Sequence, residues 1–221
     1  MRPRAIVTCG PGAAPLDAVR CITNASTGEL GVLLAECLAS AGWEVICFKG
    51  RGAVFRGPLS KQTHVHPFFT NQDLLDGLRG VRDAGRVAAV FHAAALCDYE
   101  LAAVETSDGV RLERFAKIPG SYPELRLNLQ PAPRLLPLLR RLFPTARIVA
   151  WKLEWEGDRL LALEKGGKQL SRGEADLTVV NGPAYGSGFG VLDRLGGCEH
   201  LDSKPALCEW MAQRSVDWQG R

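Results

Sequence analysis

Short apolar runs and amphipathic stretches alternate along most of this chain. Ala5-Ile6-Val7-Thr8-Cys9 is almost wholly apolar and stops at Gly10-Pro11-Gly12, which predicts a buried strand and a sharp turn. Over residues 28–41, Leu30, Leu33, Leu34, Cys37 and Leu38 share one helical face, and Gly42 ends the pattern. Residues 43–48 predict a second strand. Residues 49–69 are loop-like and rich in Gly, Pro and basic side chains, with a short strand toward 64–69. Leu74, Leu75, Leu78 and Val81 predict a helix over 71–84, and residues 87–92 the next buried strand, followed by Ala93-Ala94-Ala95.

The pattern changes from Asp98 to about Gln130. Val110, Leu112 and Phe115 alternate, as do Leu125, Leu127 and Leu129, on either side of Lys117-Ile118-Pro119-Gly120-Ser121. This predicts an inserted hairpin with strands near 110–115 and 125–129. Beyond it the expected elements are a helix over 133–142, a strand at 147–151, a helix over 157–171 and a strand at 176–181. A terminal antiparallel pair (188–192 and 198–201) and a helix over 204–218 complete the list.

Strands alternating with helices imply an α/β fold: a Rossmann-like, mostly parallel sheet with helices on both faces and an inserted dimerisation hairpin, or flap, at about 100–130. The whole of 1–221 reads as a single domain. In such sheets ligands sit beyond the strand C-terminal ends, at the switch point. The informative residues are therefore Gly10 to Gly12, Asn24 to Gly28, Ala93 to Asp98, Lys152 to Glu154, and Asn181.

Composition narrows the classes. The chain is 46% apolar and 23% charged with a net charge of +3. That charge is too small to argue for nucleic acid and suits small anions in a local basic pocket. No apolar run reaches the ~20 residues of a membrane span, and the N-terminus lacks a signal peptide's long apolar region. Seven scattered cysteines without a C-x-x-C pair suggest a reducing, cytoplasmic setting with neither disulfides nor a zinc site. His64 and His66, beside Pro67, read as a strand edge or loop rather than metal ligands.

Residues 22–31 carry the first chemical signal. Asn24, Ser26 and Thr27 can cap a helix, and Gly28 and Gly31 allow close backbone approach. A helix N-terminus of this kind favours a phosphate or carboxylate, although an ordinary strand–loop–helix joint has the same composition. The first turn lacks G-x-G-x-x-G and no acidic residue clearly ends the second strand, so a dinucleotide-dependent oxidoreductase is poorly supported.

Taken in order, the segments after the strands resemble the phosphopantothenate–cysteine ligase family of coenzyme A biosynthesis, the C-terminal domain of DNA/pantothenate metabolism flavoproteins. The family's V-T-S-G-G-T stands here as Val7-Thr8-Cys9-Gly10-Pro11-Gly12. Its D-x-V-R-x-I-x-N-x-S-S-G is matched by Asp17 through Gly28, with Arg20, Asn24, Ser26 and Thr27 in place. A-A-V-x-D-Y is Ala94-Ala95-Leu96-Cys97-Asp98-Tyr99, and the flap's lysine–isoleucine is Lys117-Ile118. G-F-K-L-E appears as Ala150-Trp151-Lys152-Leu153-Glu154, D-L-x-V-x-N as Asp176 to Asn181, and F-G-x-x-D as Phe189 to Asp193.

The resemblance implies a two-step amide synthesis. A nucleoside triphosphate, CTP or ATP with Mg²⁺, activates the carboxylate of 4′-phosphopantothenate as an acyl-nucleotidyl intermediate, which the amino group of cysteine then attacks. It implies catalytic roles for Asn24 and Lys117, and substrate contacts from Arg20, Asn24, Ser26, Thr27 and Gly28. The nucleotide would meet Gly10, Gly12, Ala95, Asp98, Lys117, Lys152, Lys168, Asn181 and Phe189. Lys165 could share the task of Lys168, or both could form a solvated face. Mg²⁺ would arrive on the triphosphate, no flavin is implied, and the flap hairpin would join a homodimer. Pro11 removes one N–H from the anion nest expected at the first turn, and one helix lysine of the family is missing. A weakened nucleotide-binding relative acting through protein partners is the second reading.

Overall fold

The computed structural model describes residues 2–113 and 116–218. The strands are β1 (Arg4–Cys9), β2 (Ala13–Pro15), β3 (Cys21–Thr23), β4 (Glu44–Gly50), β5 (Thr63–Phe68), β6 (Val87–His92), β7 (Tyr99–Thr106), β8 (Leu125–Pro131), β9 (Arg147–Leu153), β10 (Leu177–Asn181), β11 (Phe189–Asp193) and β12 (Cys198–Leu201). The helices are α1 (Glu29–Ser40), α2 (Asn71–Arg79), α3 (Leu136–Leu142), α4 (Arg159–Ser171) and α5 (Lys204–Ser215).

Among the described residues, eight strands form one sheet in the order β12-β11-β10-β9-β6-β1-β4-β5. The six from β10 to β5 run parallel, and β11 and β12 add an antiparallel edge. Numbered by chain position, those six are ordered 3-2-1-4-5-6, the doubly wound order, so the switch point lies between β1 and β6. Ile6, Val90 and Ile148 face α2, α3 and α4. Val7, Phe91 and Val149 face α1 and α5. Burial on both faces is why these strands are apolar runs without alternation.

Two expectations need correction, and one pair of strands is additional to them. On α1 the buried residues are Gly31, Val32, Leu34, Ala35, Leu38 and Ala39. Leu30, Leu33 and Cys37 are only partly buried, because α1 packs on both β1 and α5. Gly31 is the contact with β1: a Cβ there would lie 2.1 Å from Cys9 Cβ. The hairpin's first strand is β7, not 110–115. Within the latter, Arg111 makes a single bridge to Glu105, and 114–115 lie outside the described residues. A bulge between Leu101 and Ala103 shifts the β7–β8 register, so Leu101 and Val104, three apart, both join the buried cluster with Ile118. A bulge breaks the period of two that sequence patterning detects. Finally, β2 and β3 pair as a small antiparallel ribbon between β1 and α1. Its three-residue strands, one of them fully exposed, leave no pattern to read.

Candidate functional site

The floor of the site is the extension of β1 and β6 past the sheet. Ala95 N–H donates to Gly10 O (3.0 Å) and Gly12 N–H to Ala95 O (2.9 Å). Gly12 N–H is thus used within the protein, and Pro11 has none, so the first turn does not form the expected anion nest. Gly10 and Gly12 are close-packing points instead. A Cβ on Gly10 would fall 2.8 Å from Ala53 Cβ, and one on Gly12 2.9 Å from Asn71 Oδ1. Buried Asn71 closes the floor from α2, donating to Cys97 O (2.8 Å) and accepting from Cys97 N–H (3.2 Å).

Above this floor Asn24 is exposed and its amide donates to Ala95 O and Leu96 O, both at 2.9 Å. Both donor hydrogens therefore tie the segment before α1 to the segment after β6, and Oδ1 is the atom left for a ligand. The α1 N-cap is Gly28, left-handed at φ 77°, and makes no side-chain cap bond. Among the expected capping residues, Thr27 accepts from Glu29 N–H at 3.3 Å. The first-turn N–H groups of Leu30 and Gly31 thus have no capping side chain, the condition for holding an anion. The Glu29 carboxylate is paired with Lys204 at the start of α5. Ser26 is half-buried beside this turn.

The flap side is organised by Asp17, which was noted in sequence only as part of a motif. Its side chain is fully buried and bonded by Arg20 Nη2 (2.5 Å) and Nε (3.0 Å). It also accepts from the N–H groups of Val19, Arg20 and Ile118 at 2.9, 2.7 and 3.1 Å. The hydrogen bonds from Arg20 hold the carboxyl far below the usual carboxylate range. Burial opposes this, and the three backbone donors reinforce it. Arg20 Nη2 also donates to Ile118 O (2.9 Å). Lys117 is exposed and has no ion pair among the described residues, and Asp98 is exposed at the end of the floor.

A second cluster lies beyond β9. Glu154, 6% exposed, sits between Lys165 Nζ (2.5 Å) and Lys152 Nζ (2.9 Å). Burial works to raise its carboxyl, but the two lysines outweigh it and leave it below its ordinary value. Backbone bonds fix the residue: Glu154 N–H donates to Asn181 O (2.8 Å), and Ala184 N–H to Glu154 O (3.1 Å). Lys168 instead pairs with Glu164 (3.1 Å) on the exposed face of α4. Phe189 is buried in the α1–α5 core layer, so its ring is scaffold. The structure thus gathers Lys152 and Asn181 with Lys165 and Glu154, and leaves Lys168 apart. Sequence spacing contained Lys165 but nothing to rank it above Lys168. Among the described residues no group of three or more His, Cys, Asp or Glu could hold a metal ion, and no helix is long and apolar enough to cross a membrane.

Fold and site together define a Rossmann-like α/β domain whose switch point is bridged by an inserted hairpin and flanked by basic side chains. The chain belongs to the DNA/pantothenate metabolism flavoprotein C-terminal domain family, whose profile matches residues 2–195. It is 29% identical over 185 residues to the coenzyme A biosynthesis bifunctional protein CoaBC of Thermococcus kodakarensis, a match covering 83% of this chain and 42% of that protein. The chain therefore spans less than half the length of that relative. Its fold matches the DNA/pantothenate metabolism flavoprotein of Streptococcus pneumoniae with a TM-score of 0.84 at 22% identity, covering 98% and 99% of the two chains. It also matches a Cab2 variant in complex with phosphopantothenate-cysteine, with a TM-score of 0.71 at 19% identity over 98% and 87% of the chains.

Proposed function

We propose that this domain joins 4′-phosphopantothenate to cysteine through an acyl-nucleotidyl intermediate. The observation that carries the reading is the presence, beyond the C-terminal ends of the parallel strands, of both an α1 N-terminus without a side-chain cap and the Lys152–Glu154–Lys165 group. Family membership and the CoaBC relative support it.

In the first step the substrate carboxylate attacks the α-phosphorus of a nucleoside triphosphate and pyrophosphate leaves. Three sets of anionic oxygens meet, so the step depends on donors aimed where charge develops. Lys117, next to the anchored Ile118, faces the reacting phosphate. Arg20 and the α1 N-terminus receive the substrate's phosphate end, with Ser26, Thr27 and Gly28 lining it. Asn24 Oδ1 accepts from a substrate N–H while its amide holds the floor. Lys152 and Lys165 receive the outer phosphates, and Asp98 accepts from the base. In the second step the cysteine amine attacks the acyl carbon and the nucleoside monophosphate leaves.

The donor set is cationic and amide in character, so it fits a magnesium–triphosphate complex rather than a bare divalent ion, and Mg²⁺ would supply charge screening. CTP or ATP serves as the co-substrate. The exposed outer edge of β8, with Leu127 and Leu129 at 40% and 47% exposure, is the proposed surface for homodimerisation. Seven free thiols suit a reducing cytoplasm.

The test is pyrophosphate release by the purified protein with 4′-phosphopantothenate, cysteine, Mg²⁺ and CTP or ATP. Release that needs the pantothenate substrate and one nucleotide is expected. Absence of release with both nucleotides would overturn the reading.

A further inference from the structure

The Asp17–Arg20 pair reaches beyond its own turn. Asp17 accepts the N–H of Ile118 at 3.1 Å, and Arg20 Nη2 donates to the carbonyl of the same residue at 2.9 Å. Both backbone polar groups of one residue, some hundred positions further along the chain, are thus gripped by a single ion pair. The Ile118 side chain is 4% exposed and packs with Leu101 and Val104, backed by Leu16, Leu112 and Leu125. Polar and apolar constraints therefore converge on Ile118, the covalent neighbour of Lys117. Lys117 itself has no ion pair among the described residues, and the bonds to Ile118 N–H and O hold the main chain directly beside it. Arg20 uses Nε and Nη2 in the grip, while its side chain as a whole is 44% exposed. Nη1 has no partner among the described residues and stays open to an anion.

We propose that Asp17 is a positioning residue that sets Lys117 by clamping Ile118, and that an anion of the phosphate class on Arg20 tightens the clamp. The proposal rests on the ligase reading and deepens it. A phosphate on Nη1 fixes the guanidinium whose Nη2 holds Ile118 O, so occupancy of one substrate end orders the lysine at the other. Asp17 touches no substrate and acts only through the arginine and the backbone.

The experiment combines kinetics with amide exchange on the full chain. Asp17→Asn keeps the shape and removes the charge. Loss of charge-assisted bonds of this kind should lower kcat about 10- to 100-fold and leave KM for the nucleotide within about twofold. In a Lys117→Ala background the same change should add almost nothing, because residues acting through one group are non-additive. The Ile118 amide should exchange about tenfold faster or more in Asp17→Asn, with β1 amides unchanged. In the wild type 4′-phosphopantothenate should slow it. Additive losses in the double variant, or unchanged Ile118 exchange in Asp17→Asn, would overturn the proposal. If Asp17→Asn does not fold, Arg20→Lys carries the same test, since a lysine cannot bridge Asp17 and Ile118 with a rigid fork. If the wild type releases no pyrophosphate, the ligase reading fails while exchange at Ile118 still decides whether the clamp exists.

Discussion

At one end of the strand edge the buried carboxylate of Asp17 is bonded by one arginine and three backbone N–H groups. At the other, the buried carboxylate of Glu154 is bonded by two lysine side chains. Both are held ionised, yet they organise different things. Asp17 grips main chain, in loops 17–20 and 117–118, and so fixes where a segment lies. Glu154 grips the ends of flexible side chains on β9 and α4, and so fixes where charge lies while leaving one positive charge in excess. A carboxylate bonded by N–H groups controls geometry, and one between lysines controls local potential. Substitutions at the first end should therefore act on kcat, and those at the second on nucleotide KM.

The largest effect should come from Lys117→Ala. Removing a donor aimed at developing charge costs about 100- to 1,000-fold in turnover. The unfolding midpoint should hold, because the side chain is exposed and unpaired among the described residues. Full activity in this variant, measured by pyrophosphate release, would leave the Asp17 end without a reacting partner.

Next in size is a pH effect on the strand between the two ends. His92 closes β6 with Nδ1 2.8 Å from Thr8 Oγ1, and Thr8 Oγ1 also accepts from Ala94 N–H (3.3 Å). Burial pushes the imidazole down to about 4. The fold favours the neutral ring, so its contribution is complete above the unfolded value of about 6.5 and is lost as pH falls toward 4. The loss should reach about 3 kcal/mol at most. Urea unfolding between pH 7 and 4.5 should show this slope, and His92→Gln should flatten it. Glu154, whose carboxyl is depressed, contributes stability above the ordinary carboxylate range that is lost only at lower pH. The two windows are therefore separable.

Glu154→Gln should raise nucleotide KM about tenfold with kcat nearly unchanged, because the amide's donors cannot face two ammonium groups. It should destabilise the fold by about 1–2 kcal/mol, a modest figure because the lysine ends are more than a third exposed. A fall in kcat with unchanged KM would erase the distinction between the ends.

Much of the scaffold was legible in the chain. Apolar runs and helical periods mark β1, β6, β9, β10 and α1, and those elements carry the doubly wound order. Of the motif residues, Asn24 contacts the segment after β6, Asp98 lies in that stretch and Lys152 near the end of β9, while Arg20 meets the neighbour of Lys117. What stayed hidden depends on contacts distant in sequence. The β7 bulge defeats a period-two reading. Gly28 replaces the expected side-chain cap because its left-handed turn packs against Ala53. The Asp17–Ile118 bond joins residues whose spacing carries no information about each other, and Asn24's amide faces protein carbonyls that sequence cannot show it. Phe189 falls on the expected terminal strand, but which face its ring takes, here the α1–α5 core layer, is set by packing that the strand pattern does not show.

The smallest expected effect is the most exacting for the second end. Lys165 and Lys168 differ by three positions on α4, so Lys168 lies about 4.5 Å further along the helix axis. The helix begins at the strand edge with Asp158 as its cap, which accepts from Leu161 N–H at 2.8 Å. Lys165 reaches back to Glu154, while Lys168 finds Glu164 on the exposed face. An exposed i,i+4 pair contributes about 0.3–0.5 kcal/mol. Lys168→Ala should therefore change nucleotide KM by less than about twofold, whereas Lys165→Ala raises it toward the tenfold of Glu154→Gln. Because Lys165 and Glu154 share one contact, their double variant should fall short of the product of the single effects. If Lys168→Ala proved the more damaging of the two, the triphosphate would have to extend down α4, and charge at that end would be set by the helix face rather than by Glu154.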